Sequence, residues 1–392
     1  MKLVHVTTSD LSLRFLLREQ LIAFRQAGFN VIGVSAPGPW VPELTRDGIP
    51  HVAVPALQRR WAPAADLRAF VALVRVFQRH RPVVVHTHTP KARILGRLAA
   101  RAAGVPIVVN TFHGLYGMEG AARQWFFALL ERVAARWSDF DFSQARSDLD
   151  TLHRRRIVSP SRSAYLGNGV NLQVFDPDRV DRARIRSALD IPPDAVVVGT
   201  VGRLVWEKGY RELFAVAEQL RQENPRTLFL VVGPDEPRKR DGIPAAVVED
   251  LSRRAVARFL GMRTDMVEMY AAMDVFVLPS YREGFPRAAI EAAAMGKPLI
   301  LTDLGGCREV VAEAANGYLF RPGDAPALLD LVRCLVGSGE LRARFGSESR
   351  RRALAEFDER RVIARTLDVY RRLIEERRSR VVHASQESAA GG

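Results

Sequence analysis

Between residues 274 and 298 the chain leaves its local fold little choice. The apolar run Val275–Leu278 is strand-length and stops at Pro279-Ser280; a loop marked by Gly284 follows and carries Glu283. Pro286 then stands where a helix can begin, because its missing N–H costs nothing in a first turn. Glu291 lies eight positions after Glu283, inside that helix. A strand, a tight loop and a helix gather backbone N–H groups and the positive helix end at the strand's C-terminal edge. One carboxylate sits in the loop and one further along the helix. That arrangement suits a ligand joining phosphates to sugar hydroxyls.

The same alternation runs through all 392 residues. Strands are expected at 3–7, 30–35, 83–86, 107–110 and 139–142, with periodic helices at 13–27, 66–80, 92–103 and 123–137 between them. The pattern restarts at 195–201 and continues through 209–221, 227–232, 258–260, 275–278 and 299–301. Helices close the chain at 325–336, 341–356 and 361–378. Strands alternating with helices make βαβ units and a parallel sheet covered on both faces. The reading is two Rossmann-like domains facing a cleft: 1–170 and 171–362, with a helix at 363–380 packing back on the first and a disordered tail at 381–392. Gly, Asn, Pro and Asp cluster at 165–171 and 175–178, as turns and a hinge require.

No apolar run reaches the roughly 18–20 residues of a membrane span. The first seven residues read as a buried strand, so a cytoplasmic location is expected. Cys307 and Cys334 make neither a disulfide framework nor a metal spacing. The net charge is +14, and residues 1–180 hold eleven of those charges. Such a basic excess fits an anionic partner: a membrane surface, nucleic acid or a phosphorylated substrate. No recognition-helix or aromatic-platform motif supports nucleic acid. Arg59-Arg60-Trp61, leading into Arg68, Arg75 and Arg79, could instead rest on anionic headgroups.

Two further strand-to-helix junctions carry glycine with charge. Arg203 and Lys208, in Gly202-Arg203 and Lys208-Gly209, can clamp a diphosphate, one as a fork and one as a point charge. Gly305-Gly306-Cys307-Arg308-Glu309 lets backbone amides approach a ligand closely. Neither spacing is a Walker or dinucleotide fingerprint. In the first half, His86 and His88 end one strand and His113 lies just past another. Without a nearby carboxylate or cysteine, no metal is expected there. His86 reads as strand core, and one or two of the three imidazoles as partners of a sugar or phosphate.

Together these residues resemble the retaining nucleotide-sugar glycosyltransferases of family 4, which have the GT-B fold. The resemblance spans nearly the whole chain. The segments around His86-Thr87-His88-Thr89-Pro90-Lys91 and Asn110 to Gly114 are similar to bacterial enzymes of capsule, exopolysaccharide and pilin-glycan assembly. It implies a nucleotide-sugar donor, UDP-linked by family frequency, and a polyprenyl-diphosphate-linked saccharide acceptor at the inner face of the membrane. It implies no metal or other cofactor. Glu291 would accept hydrogen bonds from the ribose hydroxyls, Glu283 would hold donor-sugar hydroxyls, and Arg203 and Lys208 would neutralise the leaving diphosphate. Backbone at Gly284 and Phe285, and at Gly305 and Gly306, would help bind sugar and phosphate. Gly261 and Arg263 would lie near the base, and His113 against the donor sugar. In one respect the chain departs from the family. Where many relatives carry a glycine pair in the first βα loop, residues 7–13 here read Thr-Thr-Ser-Asp-Leu-Ser-Leu. An epimerase of the same fold and a non-catalytic membrane-docking scaffold are the alternative readings.

Overall fold

A computed structural model describes residues 1–58, 60–115, 121–236 and 239–390, with the backbone alone for 121–124 and 381–390. The chain forms two compact units. The first joins Met1–Gly167 to Arg361–Gly392, and the second is Asn168–Arg360.

The first unit holds a seven-stranded sheet: β1 (Lys2–Val6), β2 (Asn30–Ser35), β3 (His51–Ala53), β4 (Val84–Thr87), β5 (Ile107–Phe112), β6 (Phe140–Ser143) and β7 (Ser163–Tyr165). Their order is β3-β2-β1-β4-β5-β6-β7, with every pairing parallel. Successive residues enter different cores: Leu3, Val31 and Val84 join one buried cluster, and Val4, Ile32 and Val85 the other. Since side chains alternate across a strand, a sheet covered on both faces needs these unbroken apolar runs. Burying each such side chain stabilises the unit by about 1.5–3 kcal/mol.

The second unit holds β8 (Val196–Val201), β9 (Thr227–Val232), β10 (Arg258–Phe259), β11 (Val275–Leu278), β12 (Leu299–Thr302) and β13 (Gly317–Phe320). This sheet is also parallel, in the order β10-β9-β8-β11-β12-β13. The order reverses between β8 and β11, a switch point at which ligands of open α/β sheets bind beyond the strand ends.

The helix expected at 13–27 is interrupted. A single turn at Asp10–Ser12 leads into a π-helical stretch at Leu13–Leu17, and α-helix resumes at Arg18–Gln26. Pro286 is the residue before the helix Arg287–Ala294 rather than its first, with φ −70° and ψ 105°. The last helix runs Glu359–Ala390, through most of the expected tail; 391 and 392 lie outside the described residues. Its Val362, Tyr370 and Ile374 complete the cluster that contains Leu3 and Phe24.

Candidate active site

The loops after β8, β11 and β12 issue from adjacent strands at the switch point of the second sheet. Lys208 Nζ donates to Glu283 Oε1 at 2.6 Å, and both side chains are largely buried. Glu207 stitches the same two loops. Its carbonyl accepts from Tyr281 N at 2.9 Å. Its carboxylate accepts from Arg203 Nη2 at 3.3 Å and from Arg282 Nη2 at 3.2 Å. Arg203 also stands 3.6 Å from Glu236, which holds Lys239 at 2.9 Å. Arg203 thus sits in one cluster of cations and carboxylates with Glu207, Arg282, Glu236 and Lys239, and Lys208 in a separate pair with Glu283. Both sets place cations where a diphosphate can accept charge-assisted hydrogen bonds.

Glu291, on the helix Arg287–Ala294, is held from two sides. Tyr270 Oη donates to Oε2 at 2.9 Å and Arg287 Nε to Oε1 at 2.9 Å. Burial, then the Glu291 charge, pushes the Tyr270 hydroxyl well above its usual range, so it stays a donor. Each carboxylate oxygen keeps further lone pairs for ligand hydroxyls.

The loop from Gly284 to Pro286 is clamped in place. Asn168 Nδ2 donates to the Phe285 carbonyl at 3.2 Å. A Cβ on Gly306 would come within 1.4 Å of the Gly284 oxygen, so only glycine allows the start of the helix Gly305–Val310 to press on that loop. Behind it Cys307 is fully buried, and burial first, then the nearby Glu283 charge, raises its thiol; it is not a nucleophile. Gly261, at φ +62°, has open space where a side chain would stand. Arg263, expected near a base, is paired with Asp265, Nε to Oδ1 at 2.8 Å.

In the first unit the histidines form one group that includes His5 of β1. His5, His86 and His88 have ligating atoms within 4.8 Å of one another. Each nitrogen of His86 and His88 already has a protein partner. His86 meets Tyr370 Oη and Thr111 Oγ1, the latter at 2.7 Å. His88 Nε2 meets His5 Nδ1 at 2.9 Å, and His88 Nδ1 meets His113 Nε2 at 2.9 Å. His86 and His88 are therefore core groups rather than ligands of a sugar or phosphate, and of the sequence-chosen imidazoles His113 alone keeps accessible surface. Burial pushes all four down, His5 to about 3 and His113 to about 4, so the group is uncharged at neutral pH. In the first βα loop, Asp10 accepts from Trp40 N at 2.8 Å and Leu11 N at 2.9 Å.

Residues 17–169 match the glycosyl transferase 4-like domain and residues 181–352 the glycosyl transferases group 1 family. The chain is 30% identical to UDP-Gal:alpha-D-GlcNAc-diphosphoundecaprenol alpha-1,3-galactosyltransferase of Escherichia coli, over 80% of this chain and 81% of that one. The chain belongs to the family 4 glycosyltransferases. This glycosyltransferase is also 26% identical to the capsular polysaccharide biosynthesis glycosyltransferase CapM of Staphylococcus aureus, over 91% of its own length and 93% of the relative's. Its fold is that of HepE of Anabaena, solved with UDP and glucose: TM-score 0.79 at 21% identity, covering 94% of this chain and 99% of that one. Sequence reading singled out both glutamates and the two cations of the transferase but missed the residues that hold them. Tyr270 lies 21 positions from Glu291 and Asn168 117 from Phe285, while Glu207 meets Arg203 four positions away and Arg282 75 positions away. His5 carried one legible signal, a polar residue inside an apolar strand.

Proposed function

We propose that the enzyme moves a hexose or N-acetylhexosamine from a UDP-linked donor to a saccharide carried on a polyprenyl diphosphate, with retention at the anomeric carbon. The observation that carries this reading is the Lys208–Glu283 pair at the switch point, with Arg203 in the same loop as Lys208 and Glu291 on the helix that follows Glu283. Glu291 would receive the ribose hydroxyls and Glu283 the sugar hydroxyls. Arg203 and Lys208 would take up the charge of the departing diphosphate, and Gly261 would leave room beside the base. The anomeric C–O bond to phosphate breaks as the acceptor oxygen bonds to the same carbon, and the acceptor's proton passes to the leaving phosphate oxygen. Such a reaction needs positioning and charge stabilisation rather than a protein nucleophile or a metal. The E. coli relative's name, with its UDP-sugar and diphosphoundecaprenol acceptor, supports the substrate classes.

A lipid-borne acceptor calls for a protein that rests on the membrane. The helix Ala121–Ala135 and the residues after it expose Trp125 (69%), Phe126 (52%), Leu129, Val133 and Trp137, with exposed Arg132 and Arg136 among them. Apolar side chains interleaved with arginine fit the boundary of an anionic bilayer. Trp61, chosen from the sequence, is 5.9 Å from Phe127 of that helix, while Arg59 lies outside the described residues. No described helix is long and apolar enough to cross a membrane.

Loss of either Arg203 or Lys208 to alanine should slow transfer about 10²–10³-fold, roughly 3–4 kcal/mol. Near-normal turnover of the double variant would remove the reading. A thermal-shift screen across nucleotide sugars identifies the donor, since binding raises stability by mass action.

A further inference from the structure

We infer that a cavity where the helices Ala121–Ala135 and Arg146–Arg154 end is a headgroup site, in which Arg136, Arg156 and Arg162 hold the phosphate of an anionic bilayer lipid. The inference rests on the reading in which the helix Ala121–Ala135 lies on the membrane. Every residue of the site belongs to the first unit.

The cavity has a volume of about 440 Å³. Its floor includes the buried Ala135, Ile157 and Val158, and exposed Arg132, Arg136, Arg156 and Arg162 stand around it. Among the described residues, the side chains of Arg136 and Arg156 make no hydrogen bond or ion pair, and Arg162 reaches only the Ser138 carbonyl, at 3.5 Å. Arg132 has a different task. It donates to the carbonyls of Arg155 and Arg156, just past the end of the helix Arg146–Arg154, so the negative end of that helix does not face the cavity bare. The carboxylate in the lining, Asp141, is already engaged by Asn110 at 3.0 Å, Ser138 at 3.2 Å and Arg97 at 3.4 Å. Guanidinium forks without carboxylate partners are suited to the oxygens of a phosphate.

The helix itself argues that this anion carries an apolar tail. Trp125, Leu129, Arg132 and Arg136 follow at spacings of four, three and four, which is one stripe along a helix. All four are exposed. The stripe is about 16 Å long, apolar at its start and cationic at its end. A free phosphate or a nucleotide has no use for exposed Trp125 and Leu129, whereas a lipid offers acyl chains to them and a phosphate to the arginines. The place of the cavity excludes the saccharide carrier. Both helices end there and β7 begins, so it lies at the amino-terminal edge of the sheet. Ligands of such sheets react beyond the opposite, carboxyl edge. The lipid held here is therefore a lipid of the bilayer.

The test pellets the full chain with phosphatidylcholine vesicles, with and without phosphatidylglycerol. Lysine keeps the charge of arginine and loses its fork. Arg136→Lys with Arg156→Lys should weaken binding to the phosphatidylglycerol vesicles about tenfold, and Arg136→Gln with Arg156→Gln about thirtyfold or more. Both pairs should keep the wild-type urea midpoint, because these side chains are exposed. Wild type that pellets equally with the two vesicles, or a lysine pair that binds like wild type, would overturn the inference. So would a glutamine pair that pellets normally but no longer gains the thermal stability that inorganic phosphate gives wild type, which would make the ligand a soluble anion. Unchanged pelleting of Trp125→Ser with Phe126→Ser would instead remove the membrane-face reading, whatever the arginine variants do.

Discussion

Replacing His5 by asparagine should make the first unit less sensitive to acid. In the folded chain the imidazole is fully buried, and desolvation lowers its pKa from 6.5 to about 3. The unfolded chain takes up that proton below pH 6.5 while the folded chain does not. Stability is therefore intact above pH 6.5 and falls as pH drops toward 3. Each pH unit in that window costs about 1.4 kcal/mol, so at pH 5 His5 alone costs about 2 kcal/mol. His86 and His88 shift in the same direction. Asp141 opposes them: burial raises its pKa to about 6, so protonation below that favours the folded state by about 1 kcal/mol at pH 5. The histidines win, and the wild-type unit should lose stability on acidification. Asparagine offers both a donor and an acceptor near the position of Nδ1 and does not titrate. Urea unfolding followed by tryptophan fluorescence reports mainly this unit, which contains Trp40, Trp61, Trp125 and Trp137. Between pH 7.5 and 5, His5→Asn should lose about 2 kcal/mol less than wild type. Superimposable pH dependences would refute the assignment of a neutral, buried His5.

Other expectations concern separate parts of the molecule. Glu283→Gln should lower kcat with UDP affinity retained, whereas Glu291→Gln should weaken UDP binding about tenfold or more, read by titration calorimetry. Glu131→Gln should destabilise the first unit by about 3–5 kcal/mol, because its carboxylate is the shared partner of the buried Arg93 and Arg97; urea titration measures it. Changing Trp125 and Phe126 to serine should abolish pelleting with anionic vesicles while leaving transfer to a water-soluble acceptor intact.

The sheet interiors were legible because parallel strands buried on both faces must be apolar throughout, as 275–278 is. The strands that escaped, His51–Ala53, Ser163–Tyr165 and Gly317–Phe320, are short and lie at sheet edges. There one side of the ladder is open and no apolar run is required. At the site, Glu283 and Glu291 stood out through their fixed spacing along one strand, loop and helix. Tyr270 and Asn168 did not, because their roles exist only once distant segments meet. The break at Leu13–Leu17 was equally hidden, since its apolar periodicity reads as ordinary helix.

The return of the final helix to the first unit sets an order of assembly. Asn168–Arg360 is continuous, so its contacts can all be made once those residues have left the ribosome. The amino-terminal half, though synthesised earlier, must wait for Val362, Tyr370 and Ile374 to close its core and for Tyr370 to satisfy His86. Synthesis from one end to the other thus finishes the later-made half first, and truncation before 370 would strand the earlier one incomplete.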